Sequence, residues 1–221
     1  MKKQDQDIIF PKEMTEDLAE ETGWHLGDGS MNYYKGEGLY SLRGHYEDDK
    51  PHYIDRIKPL FMKLYNINIS LRDMPSTRVY GFQIWSNKLI DYKHEILGLP
   101  LGPKHNFLIP SIIANDDNLA RNFIRGFFDT DGCLYLEHKN GKLYPRIEIT
   151  SVAKGFVNQL MDILLRLGFR VSISKTAYPG RNWRTAYKLH IRGNEMTKKW
   201  FTEIKPNNSK HVAKFKKLNL I

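Results

Sequence analysis

The 221-residue chain contains a single cysteine, Cys133, which excludes an intramolecular disulfide and a cysteine cluster for zinc. No apolar run approaches the roughly 20 residues of a membrane span. The start, Met1-Lys2-Lys3-Gln4-Asp5-Gln6-Asp7, lacks the long apolar stretch of a secretory signal. These absences predict a soluble protein of a reducing, intracellular compartment with no membrane partner. Acidic charge is scarce in one half only. Residues 1–110 hold 14 Lys/Arg and 16 Asp/Glu, net −2, whereas residues 111–221 hold 20 and 9, net +11. Aromatics at 12% and apolar residues at 41% mark a globular chain. The one-sided positive charge points to a polyanion partner, against a competing reading as a Lys-rich solvated surface.

The chain also repeats itself. At an offset of 103, Gly23, Asp28, Gly29 and Arg43 meet Gly126, Asp131, Gly132 and Arg146. The helical stripe Ile54, Ile57, Leu60, Phe61, Leu64 meets Val157, Leu160, Ile163, Leu164, Leu167. After two slips, Tyr80, Ile84 and Asn87 answer Tyr187, Ile191 and Asn194. Each copy reads αββαββα, an α+β class with two antiparallel sheets. The first helix is expected over Thr15–Leu26 and its counterpart over about Asp117–Thr130. The strands follow over Ser30–Tyr34 and Gly38–His45, then Cys133–His138 and Tyr144–Ser151. Asn140-Gly141 supplies a hairpin turn, and Gly36-Glu37-Gly38 is expected to do the same in the first copy. The organisation is a tail over 1–12, a first repeat over 13–100, a linker over 101–117 with Gly102, Pro103 and Pro110, and a second repeat over 118–221.

Small residues recur four apart in both first helices: Gly23 and Gly27, then Gly126 and Thr130. Such a face lets two backbones approach closely. If the copies pack there, Asp28 and Asp131 stand side by side at the foot of the helix pair. Gly29 and Gly132 are expected to release the chain from the helix as C-terminal caps. An acid at a helix C-terminus is electrostatically unfavourable, and two together are worse. A divalent cation between them relieves both problems. Carboxylate oxygens suit Mg²⁺, with Mn²⁺ as a substitute, and such ions share phosphate oxygens and activate water. The competing reading is that each Asp only caps its own turn.

Phe123-Ile124-Arg125-Gly126-Phe127-Phe128-Asp129-Thr130-Asp131-Gly132, and more loosely Thr22–Gly29, resemble the LAGLIDADG motif of homing endonucleases in its single-chain, two-motif form. The resemblance runs from about Leu18 to about Lys205. It implies two pseudo-twofold-related αββαββα repeats, motif helices at their interface, and two sheets forming a saddle over double-stranded DNA. It implies catalytic, metal-binding acids at Asp28 and Asp131, metal-facing carbonyls at Gly27 and Thr130, and a basic catalytic residue at Lys188, where the first repeat has Gly81. It places His25 as a packing residue near the pseudo-twofold axis. The implied activity is site-specific double-strand cleavage by a monomeric, metal-dependent endodeoxyribonuclease, associated with the nucleoid and with intron mobility. An RNA-splicing maturase with intron RNA as partner, or a non-catalytic DNA-binding regulator, are the alternatives on the same fold.

Strand alternation selects the side chains for the DNA face. In the first repeat these are Ser30, Asn32, Tyr34, Ser41, Arg43, His45, Gln83 and Trp85, with Lys35 at the turn. In the second they are Tyr135, Glu137, Lys139, Arg146, Glu148, His190 and Arg192. Lys175, Arg181 and Arg184 belong to a basic, aromatic loop suited to phosphate contacts. The tail Lys210, His211, Lys214, Lys216 and Lys217 is a further candidate for phosphates. The Met start and the Asn219-Leu220-Ile221 end lack intein splicing residues, which reads as a free-standing protein.

Overall fold

A computed structural model describes residues 7–177, 179–180 and 182–218; of Lys139 only the backbone is described. Thr15 caps the first helix, α1 (Glu16–Leu26), by accepting the Leu18 N–H at 3.2 Å, and Glu16 and Asp17 occupy the positive end. Two strands follow, β1 (Gly29–Tyr34) and β2 (Glu37–His45). A bent helical rod then runs over α2 (Lys50–His52), a π turn at Tyr53–Ile57, and α3 (Lys58–Tyr65). Strands β3 (Arg72–Met74) and β4 (Val79–Trp85) and helix α4 (Asn87–Asp91), extended by a π turn over Tyr92–Ile96, complete the first repeat.

The linker carries a short helix, α5 (Ser111–Ala114). The second repeat is α6 (Asp117–Asp131), β5 (Gly132–Lys139), β6 (Lys142–Ser151), α7 (Lys154–Arg166), β7 (Val171–Thr176), β8 (Ala186–Arg192), α8 (Asn194–Glu203) and α9 (Ser209–Lys217). Asp116 caps α6 by accepting the N–H groups of Asn118 and Leu119 at 2.8 and 2.9 Å. The sheets have matching antiparallel orders, β1-β2-β4-β3 and β5-β6-β8-β7. Met31, Leu42, Phe82 and Ile84 face inward from the first, and Leu134, Ile147, Ile149, Leu189 and Ile191 from the second, all buried under the helices. The other faces are polar, as expected of sheets with one wet side. No described helix is long and apolar enough to cross a membrane.

Three local expectations need correction. The first hairpin turns at Lys35-Gly36 (φ 52° and 82°), with Glu37 already in the strand; Asn140-Gly141 (φ 51° and 71°) does the same work in the second. Both are two-residue turns with positive φ at each centre. The second hairpin is two residues longer on each side: Tyr34 pairs with Glu37, but Lys139 with Lys142. The Arg43–Arg146 match is therefore overturned. In register Arg43 faces Gly81 where Thr150 faces Lys188, so Thr150 is its structural counterpart. Finally, Gly132 does cap α6, its N–H donating to the Phe128 carbonyl, but α1 is capped by Gly27, and Gly29 already opens β1. A Cβ at Gly29 would sit 2.6 Å from His25 Cα, and one at Gly132 2.0 Å from Phe128 Cδ2, so each glycine is needed for close approach.

Candidate active site and nucleic-acid interface

The two motif helices pack backbone to backbone. A Cβ on Gly23 would lie 2.2 Å from the Phe123 carbonyl oxygen, one on Gly126 2.0 Å from that of Glu20, and one on Gly27 2.1 Å from Thr130 Oγ1. Any side chain there pushes the helices apart. This contact brings the C-terminal ends of α1 and α6 together, so Asp28, just past α1, and Asp131, the last residue of α6, share one cleft. The Gly27 Cβ position is 3.5 Å from Asp131 Oδ2. Among the described residues neither Asp28 nor Asp131 accepts a hydrogen bond. Burial, then the facing Asp131, then Asp49, push the Asp28 carboxyl up to about 7, against the pull of Lys210 and Lys104. Asp131 is the more exposed residue of the two, and burial of its carboxyl raises it against the same two lysines.

Two cations hold this cleft. Lys104 extends from the linker beneath α1 and donates to the carbonyls of His25 (3.1 Å), Leu26 (2.9 Å) and Gly27. Burial pulls its ammonium down to about 8, against Asp131 and Asp28. Lys210 comes from α9 and pairs with Asp49 at 2.6 Å. Asp49 also accepts the His45 N–H and the Asn208 amide, both at 2.7 Å. Burial alone would raise Asp49; the Lys210 ammonium and these donors outweigh it and hold the carboxyl low. Behind it, buried Asp129 accepts the backbone N–H groups of Asn207 and Asn208 at 2.9 and 3.1 Å. That fixes where α9 begins. Asp28, Arg43, His45, Asp49, Thr130 and Lys210 line one open cavity of about 580 Å³.

On the first sheet, Ser30, Ser41 and Gln83 stand in one cross-strand row. Arg72 donates to Gln83, and Gln83 reaches Ser41 at 3.4 Å. Asn32, Tyr34, Lys35, His45 and Trp85 lie at the surface, with Trp85 edge-on to Tyr34 at 6.5 Å. On the second sheet the polar residues form a network around Glu148. Lys188 donates to it at 3.0 Å and Tyr135 at 3.1 Å, and Arg146 donates to Tyr135 at 3.1 Å while pairing with Glu137 at 3.1 Å. His190 is only 5% exposed and sits 3.3 Å from Glu148 beneath Ser174, so it braces the network rather than meeting solvent. Arg192 reaches Ser172 at 2.9 Å. Lys175 is not in the loop: it lies in β7 opposite Tyr187, on the other parity from Lys188. Arg184 is exposed beside that loop. Arg181 and the Lys139 side chain fall outside the described residues.

The family model of the LAGLIDADG-like domain matches residues 118–205. Among solved structures, I-DmoI in complex with DNA and Mn aligns at TM-score 0.58 and 20% identity, covering 86% of this chain and 96% of that one. The meganuclease I-AabMI bound to uncleaved DNA aligns at 0.54 and 13%, covering 90% and 87%. The chain has the single-chain LAGLIDADG fold. A glutamine–fructose-6-phosphate aminotransferase of Methanocaldococcus jannaschii is 26% identical over 83% of this chain but only 16% of its own length. An uncharacterised protein of the same organism is 22% identical over 72% of this chain and 57% of its own. The chain thus spans less than two thirds of the length of these curated relatives.

Within the LAGLIDADG cleft, sequence reasoning missed Lys104 and Asp49. Lys104 sits in an aperiodic segment that carries no signal of where it folds back. One tail residue also needs correction. His211 is 1% exposed, its ring 4.4 Å from that of Phe128, so it is core rather than a phosphate contact. His25 is fully buried and stacks on Tyr40 of the sheet at 5.6 Å, a packing residue as expected. Burial, then the nearby Lys93 and Lys104 ammonium groups, drive its ring well below the ordinary histidine value, so it stays neutral.

Proposed function

We propose that this chain is a site-specific, metal-dependent endonuclease that cuts both strands of duplex DNA as a monomer. The observation that carries the reading is the pair of carboxylates, one from each repeat, held in one cleft between two polar sheets with no protein hydrogen bond to satisfy them. The donor set fits Mg²⁺ or Mn²⁺. Oxygen ligands suit a hard cation, and among the described residues no group of three His, Cys, Asp or Glu closes a protein-only cage, which leaves positions for water and phosphate. Asp28 and Asp131 would hold the ion, with the Thr130 carbonyl beside them; the Gly27 carbonyl already accepts from Lys104. When bound, the cation supplies charge stabilisation at the phosphate and acidifies water.

The chain's own residues do the rest. The glycine-lined helix contact fixes the spacing of the acids. Lys188, held by Glu148, presents positive charge next to the Asp131 half of the cleft, and Gly81 leaves the Asp28 half without its equivalent. Lys210 and Arg43 attract the backbone into the Asp28 half. Ser30 and Gln83 and the Tyr135–Glu148–Arg146 network offer donors and acceptors for base edges in the major groove, whereas Ser41 is buried and holds Gln83 instead. Exposed Lys35 and Arg184 serve phosphates.

The test is selection from a randomised duplex pool with Mg²⁺ and with EDTA, using the wild-type protein and Asp131→Asn. Discrete Mg²⁺-dependent products that vanish in the variant are expected. Retention of particular duplexes without cutting would replace the enzyme by a DNA-binding regulator.

A further inference from the structure

The ends of the two motif helices are matched in their acids but not in their cations. At the α1 end, Lys104 Nζ donates to three successive main-chain carbonyls, His25, Leu26 and Gly27. Those oxygens belong to the helix terminus itself, so the fold fixes their positions. The approach of the lysine is fixed as well, because the Gly102 N–H donates to the Met31 carbonyl of β1 at 2.9 Å. At the α6 end the corresponding groups are satisfied differently. The Thr130 hydroxyl lies on the Gly126 and Phe127 carbonyls, and the Asn208 amide takes that of Asp129. No described ammonium or guanidinium donates to the Thr130 carbonyl.

A carbonyl oxygen bonded to an ammonium is a poor ligand for a second cation, because the two positive charges would stand a few ångströms apart in a crowded cleft. Gly27 also lies close to Asp131, whose Oδ2 is 3.5 Å from the Gly27 Cβ position. The Lys104 charge therefore already faces the space that an ion on the Gly27 carbonyl would use. We propose that Lys104 is a tethered cation standing on the Gly27 side of the acid pair, so that the pair takes one divalent ion, on the Thr130 side, where a symmetric pair would take two. This rests on the reading of Asp28 and Asp131 as metal ligands.

The experiment counts Mn²⁺ bound to the full chain without DNA, by electron paramagnetic resonance of the free ion and by calorimetry. Wild type is expected to bind one Mn²⁺ at the acid pair, identified by its loss in Asp131→Asn. Lys104→Met is expected to bind two, and Lys104→Arg, which keeps the charge, one. Two acid-pair ions in wild type overturn the proposal with no variant needed, so it stays testable even if Lys104→Met does not fold. A Lys104→Met protein that folds, as shown by its thermal melt, and binds one ion with unchanged affinity also overturns it. Mn²⁺ binding that Asp28→Asn and Asp131→Asn both leave unchanged rejects the metal reading itself, and this proposal with it.

Discussion

Replacing Asp28 by Asn should make the metal-free protein more stable at alkaline pH while removing its chemistry. Asp28 has a carboxyl raised to about 7 by burial and by Asp131 and Asp49. In the unfolded chain it titrates near ~3.9. A carboxyl raised by folding holds its proton more tightly in the native state. Its cost to stability is therefore nil below about pH 4, grows as the unfolded chain ionises first, and is complete above about pH 7. The difference of about three pH units corresponds to roughly 4 kcal/mol, and water in the open cleft reduces this to about 2 kcal/mol. Urea melts in EDTA at pH 4, 6 and 8 measure it. Asp28→Asn should match wild type at pH 4 and exceed it by about 2 kcal/mol at pH 8. Added Mg²⁺ should stabilise wild type alone, by mass action. An Asn variant no more stable than wild type at pH 8 would refute the idea that the acid pair is strained in the absence of metal.

Gly126→Ala places a Cβ 2.0 Å from the Glu20 carbonyl, so it should separate the motif helices, cost about 1–3 kcal/mol in a denaturant melt and lower cleavage by displacing Asp131. Lys93 and Glu21 form a fully buried pair, with 2.5 and 2.6 Å contacts. Lys93→Met should cost about 3–5 kcal/mol by stranding Glu21, and the double change Glu21→Gln/Lys93→Met should recover most of it, by the same melts. Duplex affinity should fall about a thousandfold between roughly 50 and 200 mM salt if six or more phosphates are neutralised, read by fluorescence anisotropy. A flat salt dependence would remove the basic half of the chain from the account.

Features that repeat at helical or strand period were legible in the sequence. Gly23, Gly27, Gly126 and Thr130 sit four apart, and their spacing alone predicts the close helix pair that the backbone contacts show. Leu42, Phe82, Ile147 and Ile191 alternate with polar residues, so both sheets and their inner faces could be read. Register across the repeats could not. The longer second hairpin shifts the returning strand β6 by four residues against β2, and identical letters at Arg43 and Arg146 concealed it. Single long-range contacts were equally silent. Lys104 reaches α1 across 77 residues, and Lys93 reaches Glu21 across 72. Neither has a local pattern, because the partner is chosen by tertiary packing. A buried lysine and an exposed one look alike in sequence, and so do His211 as core and His211 as part of a basic tail.

The most direct test of the central claim uses a supercoiled plasmid carrying the recovered site, with Mg²⁺. Wild type, Asp28→Asn, Asp131→Asn and the double variant are compared for linear and nicked product, alongside binding measured in EDTA. The account predicts linear product from wild type only, with binding kept by every variant. A double Asn variant that still linearises the plasmid would contradict it.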